Sequence, residues 1–383
     1  MIPERHRVVV TGMGLDSPLG RGATELWRRL LSGESAARPW PDLTAQGYRA
    51  TTACRIEDLD CEPLRRGRAL TLTAACEAVE NAGLALPQQA GVYVGSTLGE
   101  SFAFEQAAEG ESLDLEDFTV ESFTQAIQKN FRLTGPGRSV ATACAAGNYA
   151  VGAALSAVRD GRVPAALAGG VEPFSRLAMV GFSRSRAMAP AVCRPFDQNR
   201  SGMLLGEGAA FFVLERADDA LQRGATPLAE IVALGLSCDA YHAVAPQPDG
   251  QGMLKAMQAA LNLAGVKPGE IDWVNAHGTG TRASDAAEGC ALRALFGGRA
   301  PPVSGSKGAL GHALGASSAL ELAICIQGLQ TQIVPPTPGH EQPDPACGVA
   351  CLREPVCRQI RWVLNNAFAF GGLNSALLLR RWE

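Results

Sequence analysis

Cysteine, histidine and lysine can carry nucleophilic and proton-transfer chemistry, and in this chain they stand in a few glycine-rich segments. The first is Ser139-Val-Ala-Thr-Ala-Cys144-Ala-Ala-Gly-Asn-Tyr-Ala-Val151. A short β-branched and alanine run reaches a cysteine, and small residues suited to a tightly packed helix follow. At such a strand-to-helix turn the first helical N–H groups are unpaired, and the positive dipole end favours thiolate over thiol. Cys144 therefore reads as a covalent nucleophile. Of the five histidines (His6, His242, His277, His312, His340), two lie among glycines and small hydroxyls: Val274-Asn-Ala-His277-Gly-Thr-Gly-Thr281 and Ser304-Gly-Ser-Lys307-Gly-Ala-Leu-Gly-His312. Glycines let backbone approach a ligand closely, and Thr279 and Thr281 offer hydroxyls to a polar substrate arm. The last segment, Asn365-Asn-Ala-Phe-Ala-Phe370-Gly-Gly-Leu-Asn374, has paired glycines that suit a turn whose N–H groups face a developing oxyanion.

The elements that must position these residues alternate between strand and helix patterns. Arg7–Gly12, Val92–Gly95, Ala165–Gly170, Ala209–Leu214, Ile231–Leu236, Ile271–Ala276, Trp362–Asn365 and Ser375–Leu379 read as strands. Thr24–Leu31, Arg68–Ala82, Phe118–Asn130, the run from Cys144 to about Arg159, Met253–Leu263 and Ala313–Gln327 read as helices. Gly12-Met-Gly14 invites a dinucleotide-binding reading, but the third glycine is missing and Asp16-Ser-Pro18 breaks the helix that should follow. A tight turn is the plainer expectation for that pair. No Tyr-x-x-x-Lys pair supports a short-chain reductase. With no linker or charge block, the chain reads as one compact α/β unit. Its segments ending in Cys144 and His277 suggest two related halves, 1–215 carrying the nucleophile and 216–383 carrying the histidines.

The totals narrow the function classes. A chain of 383 residues, 46% hydrophobic and 19% charged, can bury a large core. A net charge of −4 argues against a general nucleic-acid-binding surface. Eleven scattered cysteines, with no secretory pattern at Met1-Ile-Pro-Glu-Arg-His-Arg, point to a reducing cytoplasm and inert buried thiols. Cys347, Cys351 and Cys357 match no zinc spacing, so no metal is expected. No uncharged run approaches the ~20 residues needed to span a bilayer.

Seven segments in order carry a family resemblance: Val8-Val-Val-Thr-Gly12, Thr142-Ala-Cys144, Ala168-Gly-Gly170, Pro195-Phe-Asp197 with Gly206-Glu-Gly208, Asn275-Ala-His277-Gly-Thr279, Lys307 to His312, and Phe370-Gly-Gly372. Together they resemble an elongating β-ketoacyl-acyl-carrier-protein synthase of the Cys-His-His type. The resemblance implies the thiolase-like α/β fold, layered α-β-α-β-α, and decarboxylative condensation of an acyl chain on Cys144 with malonyl carrier protein. It implies that His277 and His312 support decarboxylation and stabilise the enolate. Lys307 matches the family's active-site lysine and Glu288 its ion-pair partner. The N–H groups of Cys144 and Phe370 form the implied oxyanion hole, with Phe370 and Phe368 at the gate, while Thr279 and Thr281 hold the phosphopantetheine arm. Arg65, Arg66, Arg68 and Arg186 match positions that dock the acidic acyl carrier protein. The arm comes with the carrier, so no resident cofactor is implied. Relatives are dimers, so a homodimer is expected, with a heterodimer beside a chain-length-factor-like subunit as the alternative.

The sequence also departs from the family pattern. Ala369 stands where glycine is usual, which restricts positive φ and predicts an altered gate. Leu373 replaces a threonine, and the region between Gly95 and Gly135 is shorter than in housekeeping members. Gln125 and Gln128 are expected on a polar surface. If they instead faced the acyl pocket, they would favour short, unsaturated or oxygenated chains. These departures tilt the expectation toward a polyketide or other specialised pathway over bulk fatty-acid synthesis. A thiolase would need a second reactive cysteine in a glycine-rich setting, and an initiating synthase would use histidine plus asparagine. A chain-length subunit would lack the cysteine.

Overall fold

Long apolar runs bounded by glycine become strands buried on both faces, as a sheet covered by helices on each side requires. The computed structural model describes residues 7–57, 59, 61, 65–110, 118–297, 299–349 and 351–383. The principal strands are β1 (Val8–Ser17), β2 (Gly91–Gly95), β3 (Gly137–Val140), β4 (Ala165–Glu172), β5 (Gly208–Arg216), β6 (Ala229–Cys238), β7 (Trp273–Asn275), β8 (Val303–Ser304), β9 (Trp362–Phe368) and β10 (Leu373–Arg380). They form one sheet in the order β8-β7-β9-β10-β6-β1-β5-β4-β2-β3. The wiring occurs twice. In the first five strands β2 is parallel to β3 and β4, while β5 runs antiparallel to β4 and β1. In the second five, β7 is parallel to β8 and β9, and β10 is antiparallel to β9 and β6. The two sets join where Val8–Val10 pair with Ile231–Ala229.

Among the described helices, seven longer ones carry the layers: α1 (Arg66–Ala82), α2 (Val120–Phe131), α3 (Ala146–Arg159), α4 (Arg176–Arg184), α5 (Gln251–Ala264), α6 (Arg282–Phe296) and α7 (Leu314–Thr331), while the expected helix near the start of the chain forms as Ala23–Leu31. One outer layer places α1 and α2 on the first strand set, and the other places α5 and α6 on the second. Between them α3 and α7 pack on each other and on strands of both sets, around the largest apolar cluster. The layers are thus α-β-α-β-α.

The same wiring fixes the site. In each set a central helix follows the third strand, α3 after β3 and α7 after β8. Cys144 precedes α3 and His312 precedes α7, so the two residues occupy equivalent positions. His277 follows β7, and the Ala369–Gly372 segment connects β9 to β10.

The sequence expectations need correction in two places. Gly12 and Gly14 lie inside β1 and not in a turn: any Cβ there would run into the Ala78 and Ala74 carbonyls, so they let α1 lie directly on the strand. Helices α4 and α6 were not foreseen. The buried face of α6 includes Asp285, Glu288 and Gly289, which interrupt its apolar period. Among the described residues, no helix is long and apolar enough to cross a membrane.

Candidate active site

A single 3₁₀ turn, Ala143–Ala145, lies between β3 and α3 and presents Cys144. Ala143 takes φ 47°, a left-handed conformation uncommon for a residue with a Cβ, so the turn before the cysteine is a strained elbow. Cys144 Sγ lies 3.0 Å from His312 Nε2, and His312 Nδ1 lies 2.8 Å from Ser317 Oγ in the first turn of α7. The His312 backbone is fixed by its N–H, which donates to the Leu204 carbonyl at 2.7 Å, and by its own carbonyl, which accepts from Gly206 at 3.0 Å. The His277 ring stands edge-on to His312, centroids 5.4 Å apart at 81°, and its other side meets Phe368 at 6.1 Å. Cys144, both histidines, Thr279, Thr281, Phe368 and Phe370 line one cavity of about 200 Å³.

Burial sets the protonation states here. The Cys144 thiol is pushed up to about 12 by desolvation, although Lys307 and the N–H groups of Cys144 and Phe370 pull the other way. The expected helix-start thiolate is therefore not the resting form. Desolvation by burial is the larger effect. Both imidazoles are held well below the ordinary histidine value, first by burial and then by the Lys307 charge. The resting pair at neutral pH is a thiol beside a neutral imidazole. The Ser317 hydroxyl can accept from Nδ1 or donate to it, so it supports either His312 tautomer.

The lysine's partner differs from the one expected. Lys307 forms a fully buried ion pair with Glu321 of α7, whose carboxyl burial raises to about 7 against the pull of Lys307. Glu288 instead accepts the backbone N–H groups of His277 and Gly278, both at 2.9 Å. Burial raises its carboxyl to about 7 as well. Glu288 thus shapes the His277 loop, and the ion-pair role expected of it falls to Glu321.

Known proteins agree with this geometry. Residues 5–220 match the model of the beta-ketoacyl synthase N-terminal domain and residues 228–341 that of its C-terminal domain. The chain belongs to the beta-ketoacyl synthase family. It is similar to Nodulation protein E of Rhizobium sp. (strain N33), 34% identical over 98% of this chain and 99% of that one. It is 33% identical to 3-oxoacyl-[acyl-carrier-protein] synthase 2 of Coxiella burnetii over 99% of each. Among solved structures, the ishigamide ketosynthase/chain length factor superimposes with a TM-score of 0.93 at 37% identity, covering 99% of this chain and 100% of that one. The fold is thiolase-like, and the chain is a condensing enzyme of the acyltransferase class.

Around the reacting centre of this synthase the remaining expected residues separate into two groups. Thr279 and Thr281 face each other with hydroxyls 2.9 Å apart on the cavity wall. Phe370 is 38% exposed and meets Phe182 of α4 at 5.5 Å with the rings tilted by 48°, whereas Phe368 is buried against His277. Ala369 has φ −110° and ψ 161°, ordinary extended backbone, so the feared strain at the gate is absent. Gly371 and Gly372, at φ 79° and 71°, make the sharp turn instead. Gln125 is exposed, and Gln128 donates to the Gly135 carbonyl at 2.9 Å; neither lines the cavity.

The basic residues divide similarly. Arg66 does not present its charge outward: its guanidinium holds the fully buried Glu207 through two contacts of 2.7 Å. Arg65 is exposed at the start of α1, Arg68 is half-buried one turn on, and Arg186 is exposed just after α4. Residues that sequence reasoning missed are Glu321, Ser317, Glu172 and Glu207. The signal for Glu321 was a lone carboxylate inside the apolar Ala313–Gln327 run, which demands a buried cation.

Proposed function

We propose that Cys144 takes an acyl group from a carrier thioester and that this acyl-enzyme condenses with a malonyl carrier protein. The observation that carries the reading is the Cys144–His312 contact at 3.0 Å with His277 closing the same small cavity. As Sγ attacks the thioester carbonyl, its proton passes to His312 Nε2 and on to the departing pantetheine sulfur. The carbonyl oxygen develops charge beside the Cys144 and Phe370 N–H groups, which face the sulfur at rest; losing one such donor typically lowers the rate about 10²–10³-fold. Malonyl carrier then enters, CO₂ leaves, and two neutral imidazoles donate hydrogen bonds to the enolate oxygen. The carbanion attacks the Cys144 thioester, the C–S bond breaks, and a 3-oxoacyl carrier longer by two carbons departs. The carrier supplies its own phosphopantetheine arm, gripped by Thr279 and Thr281, and the chemistry draws on no resident cofactor.

Arg65, Arg68 and Arg186 are the proposed contacts for an acidic acyl carrier protein. A homodimer is the proposed assembly, and a heterodimer with a chain-length-factor-like subunit is the alternative that the likeness to the ishigamide ketosynthase/chain length factor supports. That likeness and the Nodulation protein E match support a specialised pathway over housekeeping elongation. Intact-mass detection of acyl groups on the protein, across a panel of acyl carriers, tests the reading. An adduct confined to Cys144 is expected. No adduct with any donor, or an adduct that survives Cys144→Ala, overturns it.

A further inference from the structure

Glu172 ends β4, is almost completely buried, and has no part in the chemistry above. Its carboxylate collects four donors. They are the N–H groups of Thr97 at 2.6 Å, Leu98 at 2.9 Å and Gly315 at 2.9 Å, and the Ser96 hydroxyl at 3.3 Å. Three come from the loop after β2, and the fourth comes from the first turn of α7. An ionised carboxylate offers about four acceptor sites, so this one is fully subscribed. The Gly315 N–H is one of the donors that a helix start leaves unpaired, where an anion is favoured.

The clamp lies close to the reacting pair along the chain. Gly315 is three residues past His312 and two before Ser317, which holds His312 Nδ1. A Cβ on Gly315 would sit 2.6 Å from the Thr97 nitrogen, so α7 and the loop after β2 meet backbone to backbone at this point. Leu314 between them takes φ 42°, a conformation that persists only when its surroundings impose it. On its other flank His312 is held by Leu204 and Gly206. Burial raises the Glu172 carboxyl to about 7 against the pull of its backbone donors, and once ionised its charge acts on the Cys144 sulfur in the sense opposite to Lys307. Lys307, Glu172, His277 and His312 act around that thiol, and Asp239 lines the same cavity.

We infer that Glu172 is a positioning residue of the condensing site: it locks the His312-bearing start of α7 to the loop after β2, keeps the imidazole within reach of Cys144, and sets a negative charge against Lys307 at the sulfur. A carboxylate that served only to join two loops would leave Cys144 reactivity unchanged once the protein was folded.

Two variants separate reach from charge. Glu172→Gln removes the charge and turns an amide donor toward backbone donors. Glu172→Asp keeps the charge and shortens the reach by one methylene. The rate of Cys144 alkylation by iodoacetamide, followed by mass of the Cys144 peptide from pH 6.5 to 9 so that the exposed Cys76, Cys238 and Cys357 do not contribute, reads the sulfur's electrostatics without any carrier. Above pH 8, where wild-type Glu172 is ionised, the rate–pH line of Glu172→Gln is expected to lie about half a unit to lower pH, with condensation kcat down at least about tenfold and carrier KM within about twofold. For Glu172→Asp the alkylation line stays and kcat still falls. A folded Glu172→Gln enzyme with an unmoved alkylation line overturns the inference, as does Glu172→Asp with wild-type kcat. If Glu172→Gln does not fold, Glu172→Asp decides alone. Only the turnover readout rests on the proposed condensation. If the wild-type enzyme condenses nothing, that reading fails, while the alkylation shift still reports on Glu172.

Discussion

The buried Lys307–Glu321 pair gives a sharp test because the sequence pointed to a different acid. Both side chains are 1–2% exposed, so neither charge can be rehydrated without unfolding α7. Breaking such a pair by removing one partner strands a buried charge and costs about 3–5 kcal/mol. Unfolding entropy of about 2.1 cal/mol/K per residue, over this chain length, amounts to about 0.8 kcal/mol/K. Glu321→Gln or Lys307→Met alone should therefore lower Tm by about 4–6 °C. Replacing both, as Lys307→Met with Glu321→Leu, removes the stranded charge and should return to within about 1–2 kcal/mol of the native enzyme. Lys307→Met with Glu288→Gln should show no such recovery, because Glu288 accepts the His277 and Gly278 N–H groups. Differential scanning calorimetry and urea unfolding on the two double-mutant cycles give the coupling energies. Recovery through Glu288 but not through Glu321 would refute the assignment. A Tm loss below about 2 °C for either single variant would refute the electrostatic reasoning itself.

Other outcomes follow from the same geometry. Because burial and Lys307 hold His277 and His312 well below 6.5, both stay neutral at pH 6. Malonyl decarboxylation by Cys144→Ala should then show no acid limb near 6.5, and a midpoint there would contradict the neutral-imidazole site. The sign for folding is set by the same shift: unfolded histidines take up protons that the folded ones refuse, so their contribution to stability is lost as pH falls below 6.5. Arg66→Glu should unfold or destabilise the protein by orphaning Glu207, losing activity equally with carrier substrates and small thioester mimics. By contrast, Arg68→Glu and Arg186→Glu should raise KM for carriers alone, and equal loss on mimics would remove them from docking. Ala369→Gly should change Tm by no more than about 1 °C, since Ala369 is already extended. Gly372→Ala should disable the gate loop, since its Cβ would lie 2.6 Å from Asp239 Cβ at φ 71°; unaltered turnover would show that the loop tolerates repacking.

The sequence exposed the site better than it exposed what supports the site. Cys144, His277, His312 and Lys307 stand in short glycine-rich segments whose local chemistry is visible without a partner. Strands such as Ala209–Leu214 were legible because they are buried on both faces and read as continuous apolar runs. Pairing was not legible. Whether Glu288 or Glu321 meets Lys307 depends on how α6 and α7 cross the sheet, and no local spacing encodes that. Burial was hidden for the same reason. The helix-start position of Cys144 argues for a thiolate, and only the packing around it shows that desolvation prevails. Arg66 looked like part of an exposed basic run until the fold placed Glu207 beneath it.

The duplicated strand wiring accounts for the meeting of groups 168 residues apart. Each five-strand set sends a central helix from its third strand, and the two helices pack side by side at the middle layer. The residues that precede those helices are thereby brought to one end of the same layer, where Cys144 and His312 come within 3.0 Å. A site built at that junction is enclosed by both sets, which explains why its thiol and imidazoles are buried and neutral at rest. A nucleophile held as a thiol reacts poorly with adventitious electrophiles. It becomes reactive when a thioester carbonyl occupies the oxyanion donors and His312 can accept the Sγ proton, so the same burial that suppresses Cys144 also confines its reactivity to the loaded cavity.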